Sequence, residues 1–279
     1  VSIDKISHFV QSPHYEEMFF SGAKVNILRQ LISEYQASLG LQRLEWAERN
    51  VVGKFIATKH YDLNNDQLYE LLDSHGVLPK TVRIKWNSLN ELEQHSLQEN
   101  CLASKPYLKF TPKRINQEER DGGHISYRND LVNYGIDGLL ANWKQQKWIY
   151  SRLFDQWNAL RVSALTEMLK TKQITISLSE GKLSVVIPDP CVDTNAAFQW
   201  GGTELLQRCG KIDMEQVKLL AAKGYYSMTE VQKHLKVVDV RTKYILLTLT
   251  SERNMMEGMI QQSNRYSWVN LRSQKGWEV

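Results

Sequence analysis

Apolar residues recur every three or four positions through most of this chain, and at every second position in a few short stretches. In "SGAKVNILRQLISEYQASLG", residues 21–40, Val25, Leu28, Ile32 and Tyr35 keep the spacing of a half-buried helix face. Gly40 is placed to end that helix. The same reading predicts a second helix through Trp46 to Ile56 and a third from Asn65 to Ser74, stopped by Gly76. The strongest pattern begins at Asp137, a good N-cap. From there Leu139, Trp143, Tyr150, Leu153, Trp157, Leu160, Ala164 and Met168 hold one seam, longer than an average globular helix requires. Trp143 and Trp157 read as core on that seam, and Trp148 as lying at its edge. "ITISLSEGKLSVVIPDP" then alternates with period two about a Ser-Glu-Gly-Lys turn and reads as a hairpin. Helical patterning resumes after Gly201-Gly202. The fold class expected is mainly α with a minor β-hairpin.

Two prolines, a basic cluster, an acidic run and Gly122-Gly123 interrupt the pattern between residues 105 and 125, which reads as a linker. The expected organisation is therefore a helical domain over 1–104 and a second part over 126–279. That second part carries the long helix, the hairpin and a C-terminal candidate winged helix at 211–279. There is no repeat of solenoid period and no low-complexity segment.

Two segments have the layout of a helix-turn-helix. In "DQLYELLDSHGVLPKTVRIKW", residues 66–86, Leu68, Leu71 and Leu72 would bury, and Gly76 falls where the turn needs a left-handed residue. Pro79 suits the first turn of a following helix. Lys80, Thr81, Arg83 and Lys85 would then face phosphates and base edges. The Gly-Val turn and the Thr-Val pair after it resemble the general pattern of bacterial helix-turn-helix proteins over this one segment. His75 stands where such motifs carry an apolar residue. "TVRIKW" also fits a strand with Arg83 and Lys85 on its wet face, or a plain corner between core helices.

The second segment is residues 225–247. Ser227 and Glu230 spell a capping box, and Tyr226 with Val231 a hydrophobic staple. Asp239 would cap a next helix presenting Arg241, Thr242 and Lys243. "QQSNRYSWVNL" would follow as a wing hairpin with Asn264-Arg265 near its tip. "KYILLTLT" suits a strand equally well.

Other residues carry weaker signals. "KPYLKFTPKR" interleaves Lys105, Lys109, Lys113 and Arg114 with Tyr107 and Phe110, a composition suited to tracking phosphates beside stacking rings. It is equally the composition of a solvated linker. Glu180-Gly181-Lys182 has the E-x-K spelling of a metal-dependent nuclease core, with Asp189 and Asp193 nearby. Glu-Gly is also ordinary turn chemistry. Asp121, His124, Arg128 and Asp130 cluster around the Gly-Gly pair, where most such histidines are simply exposed. No P-loop, dinucleotide fingerprint, nucleophile elbow or H-E-x-x-H occurs, and the histidines have no metal-ligand spacing, so no cofactor is expected.

Composition changes the picture modestly. At 279 residues, 42% hydrophobic and 24% charged, the chain can bury a real core. A net charge of +4 permits a polyanionic partner without demanding one. Three widely spaced cysteines, Cys101, Cys191 and Cys209, make no disulfide framework and point to a reducing, cytoplasmic setting. No run of eighteen apolar residues exists, so no membrane partner is expected. The leading expectation is a non-enzymatic DNA-binding protein: a regulator, a replication initiator or a mobile-element accessory factor. The alternatives are a helical protein that docks or self-associates through its aromatic surface, and a nuclease built on Glu180 and Lys182.

Overall fold

The computed structural model describes residues 2–63, 66–113, 127–131 and 133–274, with side chains as far as Gln261. In chain order the elements are α1 (Ser2–Gln11), α2 (Pro13–Ser38), β1 (Arg43–Trp46), β2 (Val51–Asp62), α3 (Asp66–Ser74), α4 (Leu78–Thr81), β3 (Val82–Ile84) and α5 (Glu91–Leu97). Next come β4 (Cys101–Leu102), β5 (Tyr107–Pro112), α6 (Ile136–Lys170), β6 (Thr175–Leu178), β7 (Gly181–Val186), β8 (Cys191–Val192) and α7 (Thr194–Cys209). The chain continues through β9 (Gly210–Ile212), α8 (Met214–Ala222), α9 (Met228–Lys233), β10 (Lys236–Thr248) and α10 (Leu249–Gln274). The protein is mainly α, with its strands in small antiparallel sheets. No helix among the described residues is long and apolar enough to cross a membrane.

The chain forms two compact units, each assembled from separated stretches. The first comprises residues 1–56, 105–187 and 244–250, and the second 57–104, 188–243 and 251–279. The chain passes between them after residues 56, 104, 187, 243 and 250, so neither unit is a continuous stretch of chain.

In the first unit α2 and α6 run antiparallel. Met18 shares a core with Leu153 and Trp157, whereas Leu28 and Ile32, further along α2, share one with Leu139, Leu140 and Trp143 near the start of α6. The seam read from sequence is thus the buried face of α6, and Trp148 lies off it at 61% exposure. Trp157 stacks on Phe9 at 5.7 Å between centroids and meets Tyr15 and Phe110 edge-on, geometries that ring quadrupoles favour.

Beside these helices lie two three-stranded sheets, ordered β1-β2-β10 and β5-β7-β6. Fully buried Gln36 of α2 fastens the first of them. Its Nε2 donates to the carbonyls of Leu41 at 3.0 Å and Gly53 at 3.2 Å, and its Oε1 accepts from the Tyr244 hydroxyl at 3.1 Å. A Cβ at Gly53 would collide with both Tyr244 Oη and Gln36 Oε1.

The second unit has one core. Leu68 and Leu72 of α3, Val82 and Ile84 of β3, Leu205 and Leu206 of α7, Val217 of α8 and Val231 of α9 all contribute to it. Twice in this unit a helix ends at a left-handed glycine, and a short helix and a strand follow. Gly76, at φ 65°, lies between α3 and α4–β3, and Gly224, at φ 85°, lies between α8 and α9–β10.

Several expected elements are different in the structure. Trp46 to Ile56 is not a helix. Its apolar residues serve β1 and β2, which pair with Trp46 opposite Val51 and Leu44 opposite Gly53. The recognition helix after Gly76 stops at Thr81, because Val82 and Ile84 bury with period two and pair with β9. The capping box of Ser227 and Glu230 is formed. The helix expected from Asp239 is instead part of the 13-residue strand β10, and Asn264 and Arg265 lie inside helix α10 rather than at a wing tip. Within the expected linker, Tyr107–Pro112 is strand β5, paired to β7 and extending the predicted hairpin.

Two predictions follow from the packing. Gly53→Ala should destabilise the protein by about 1–3 kcal/mol, because the new methyl group breaks buried hydrogen bonds. Calorimetry checks this, and an unchanged Tm contradicts it. Tyr226 is buried, donates to the Val217 carbonyl at 2.7 Å, and burial pushes its pKa up to about 12. An unfolded tyrosine ionises near 10. The folded state therefore holds its proton longer, and stability present below pH 10 is lost as pH rises from 10 towards 12. Denaturant titrations at successive pH values should show a shallower decline in Tyr226→Phe than in the parent.

Candidate functional site

Cationic side chains are abundant on this surface, and what separates them is whether the fold already uses them. Arg83 projects from β3 directly opposite Lys211 of β9. That like-charge pairing is relieved by Asp213, whose Oδ2 lies 2.5 Å from Arg83 Nη2. Asp213 is also the N-cap of α8, its Oδ1 accepting from Glu215 N–H at 3.0 Å. Arg241 pairs with Asp239 two residues back along β10, Nε to Oδ2 at 2.6 Å. Arg208, near the end of α7, pairs with the buried carboxylate of Glu93, and this hydrogen bond raises the guanidinium pKa above its ordinary value. The other oxygen of Glu93 accepts from the Asn90 N–H at 2.8 Å, closing the capping box of α5.

The helix-turn-helix residues are therefore arranged differently from the expectation. Thr81 is fully buried with its hydroxyl donating to the Leu78 carbonyl at 3.0 Å, so it presents nothing to a base. Lys80 lies over the Tyr225 ring at 5.6 Å. Arg83 and Lys85 line a groove of about 760 Å³ together with Lys211, Asp189, Asp213 and Glu215. Three acids there offset three cations, and such a groove has no net pull on a polyanion.

The first unit holds the remaining candidates. On β5, Tyr107 and Lys109 are exposed while Leu108 is buried and Phe110 turns toward the aromatic cluster of Trp157. Of the two rings expected to stack, only Tyr107 faces water. Lys105, Lys113 and Lys182 are also exposed in this unit. Arg114, Asp121 and His124 lie outside the described residues. Arg128 is paired with Glu34 at 3.2 Å. Glu180 is an exposed turn residue whose carbonyl accepts from Lys113 N–H at 2.8 Å. Asp193 caps α7, and both it and Asp189 belong to the second unit. Among the described residues, no group of three or more His, Cys, Asp or Glu side chains is placed to hold a metal.

The most distinctive concavity is a cleft of about 1060 Å³ in the second unit. Lys59 and His60 of β2 line it, as do Lys211 of β9, Lys218 of α8 and the paired Arg208. Asp62 and Asp66 are the acids on its surface, so cations exceed acids. Among the described residues, Lys59, Lys211 and Lys218 are not taken up in ion pairs. Tyr69, whose hydroxyl donates to the Gly210 carbonyl at 3.2 Å, forms part of the lining, and burial followed by the charge of Asp66 raises its pKa. Leu63, Met214 and Val238 add apolar surface.

Sequence reasoning named none of Lys59, Lys211 and Lys218. Each is a single lysine in an unremarkable segment, and only the fold gathers them. No protein-family model, curated protein or solved structure matches this chain.

The ion-pair geometry yields a stability prediction. The Arg83 side chain is 73% exposed, so its pair with Asp213 is screened by water. Arg83→Ala leaves the buried Asp213 Oδ2 without its cation but exposes it to water, and should cost less than about 1 kcal/mol. Asp213→Ala removes a helix cap and should cost about 1 kcal/mol or more. Urea titration of both variants checks the ordering, and equal losses would contradict it.

Proposed function

We propose that this protein binds nucleic acid through the cleft of its second unit, as a binding protein rather than an enzyme. The observation that supports this most directly is that Lys59, Lys211 and Lys218 line one concavity whose one arginine, Arg208, is occupied by the Glu93 carboxylate. A phosphate backbone supplies the regularly spaced negative charge that such a set attracts, and a concave, low-dielectric wall strengthens the attraction. Chemistry on the strand is not part of the proposal.

Binding here replaces the recognition-helix contacts expected from the sequence. Lys80, Lys85 and Lys243 belong to the same unit and are exposed candidates for further phosphate contacts, whereas Arg83 and Arg241 are held by Asp213 and Asp239. The exposed lysines of the first unit, Lys105, Lys109 and Lys113, are secondary candidates.

Fluorescence anisotropy with a labelled oligonucleotide of mixed sequence, offered as single strand and as duplex, tests the proposal. Three phosphate contacts imply that affinity falls roughly twenty-fold for a single strand, and roughly forty-fold for a duplex, between about 50 and 200 mM salt. Lys59→Glu with Lys218→Glu should weaken binding at least tenfold. A control, Lys5→Glu on α1, should change it less than twofold. A flat salt response, or a double variant that binds like the parent, removes the reading.

A further inference from the structure

We infer that the cleft takes a single nucleic-acid strand and not a duplex, an inference that rests on the function proposed above. Size is the first argument. A space of about 1060 Å³ is equivalent to a cube roughly 10 Å on a side, whereas a B-form duplex carries two grooves, roughly 12 and 6 Å wide, side by side around it and is wider than the cleft. A duplex can touch the rim of such a cleft but cannot enter it. An unpaired strand can.

The second argument is the mixture of chemistries in the lining. Leu63, Met214 and Val238 present apolar surface between the lysines, with half-buried Tyr61 beside them. In a duplex the flat faces of the bases are stacked on one another and only their edges reach a protein. Apolar lining would then lie against sugar and phosphate, where it gains little. An unpaired strand exposes those faces, and a site for it needs cations for the backbone together with apolar or aromatic surface for the bases. The cleft supplies both within one concavity.

The third argument is the origin of the cations. Lys59 comes from a strand, Lys211 from a different sheet and Lys218 from a helix, so the charges border the cleft from separate elements. Charges so arranged enclose a chain passing among them.

The strand that helps line the cleft is suited to adjusting around a ligand. Residues 236–243 of β10 are exposed one after another, although successive side chains point to opposite faces, so neither face of that stretch is covered. Val238 is 59% exposed. A two-stranded ribbon with no packed face is marginally stable alone, and a base laid against Val238 would cover part of it.

The test compares labelled 12-residue strands of deoxythymidine and of uridine with a blunt duplex of equal length, using the full chain at about 100 mM salt. Either single strand should bind at least tenfold more tightly than the duplex, with a log–log salt slope near −2 for three contacts. In Lys59→Glu/Lys218→Glu, whose fold is checked by its Tm, that preference should disappear. Preference for one sugar over the other identifies the strand as DNA or RNA and sustains the inference either way. Equal binding of strand and duplex, or tighter duplex binding, overturns it and leaves the broader function standing. A single-strand preference that survives in the double variant also overturns it, because the strand then lies elsewhere. No binding to any of the three removes both readings.

Discussion

The Gln36 amide is the constraint on which the arrangement of strands depends. It is fully buried, and its two donated bonds and one accepted bond join a helix, the β1–β2 hairpin and β10. A buried amide is stabilising only when its polar atoms are satisfied, so the three elements must meet in one arrangement or not at all. Gly53 enforces the same condition from the other side, since only a residue without a side chain lets the Tyr244 hydroxyl and the Gln36 oxygen approach its backbone. A slip of one residue along β2 would place a side chain in that space and turn every following residue to the opposite face. Register fixed at Gly53 is thus register fixed along β2, including the stretch that ends at Lys59, His60 and Tyr61.

Where local pattern and tertiary need coincide, the sequence was readable. The seam from Leu139 to Met168 is long enough that no competing period fits, and the helix appears with only its cap moved from Asp137 to Gly135. The Ser227–Glu230 capping box is a local hydrogen-bond pattern and forms as spelled. The hairpin around Gly181 is equally local. Failures fall where a short segment's spacing fits two periods, as in the local β1–β2 hairpin, or where its pairing is made with distant chain. Trp46, Val51, Val52 and Phe55 have spacings compatible with a helix, and only their partners decide for strands. Val82 and Ile84 pair with residues beyond 209, and β5 with β7, so nothing within a short window could weigh those ladders. The same holds for Arg241 and Lys243, carried by a strand whose neighbour β2 lies far earlier in the chain.

The candidate site was less legible than the fold for a related reason. Sequence reasoning selects dense local clusters of charge, and here "PKTVRIK" and "KPYLKFTPKR" drew attention. Density in sequence says nothing about neutralisation. Arg83 meets Asp213, Arg208 meets Glu93, and each partner comes from more than a hundred residues away. Glu93 and Asp213 additionally cap helices, so their carboxylates would be required even if the arginines were absent. Lys59, Lys211 and Lys218 are isolated in sequence and gathered only by folding.

That division between occupied and unoccupied cations is the physical basis for locating function. Arg208, beside the buried carboxylate of Glu93, serves the fold, because removing it would leave a charge without a partner in a poorly solvated place. Lys59 and Lys218, which form no ion pair among the described residues, serve the fold in no comparable way. All the lysines of the cleft are exposed, so water and salt screen their mutual repulsion in the free protein. A polyanion entering the cleft reverses the sign of that contribution. Its phosphates replace repulsion among the lysines with attraction, and release of its condensed counterions adds entropy. Cations exceed acids in the cleft and balance them in the groove beside Arg83, which is why the proposal places the polyanion in the cleft.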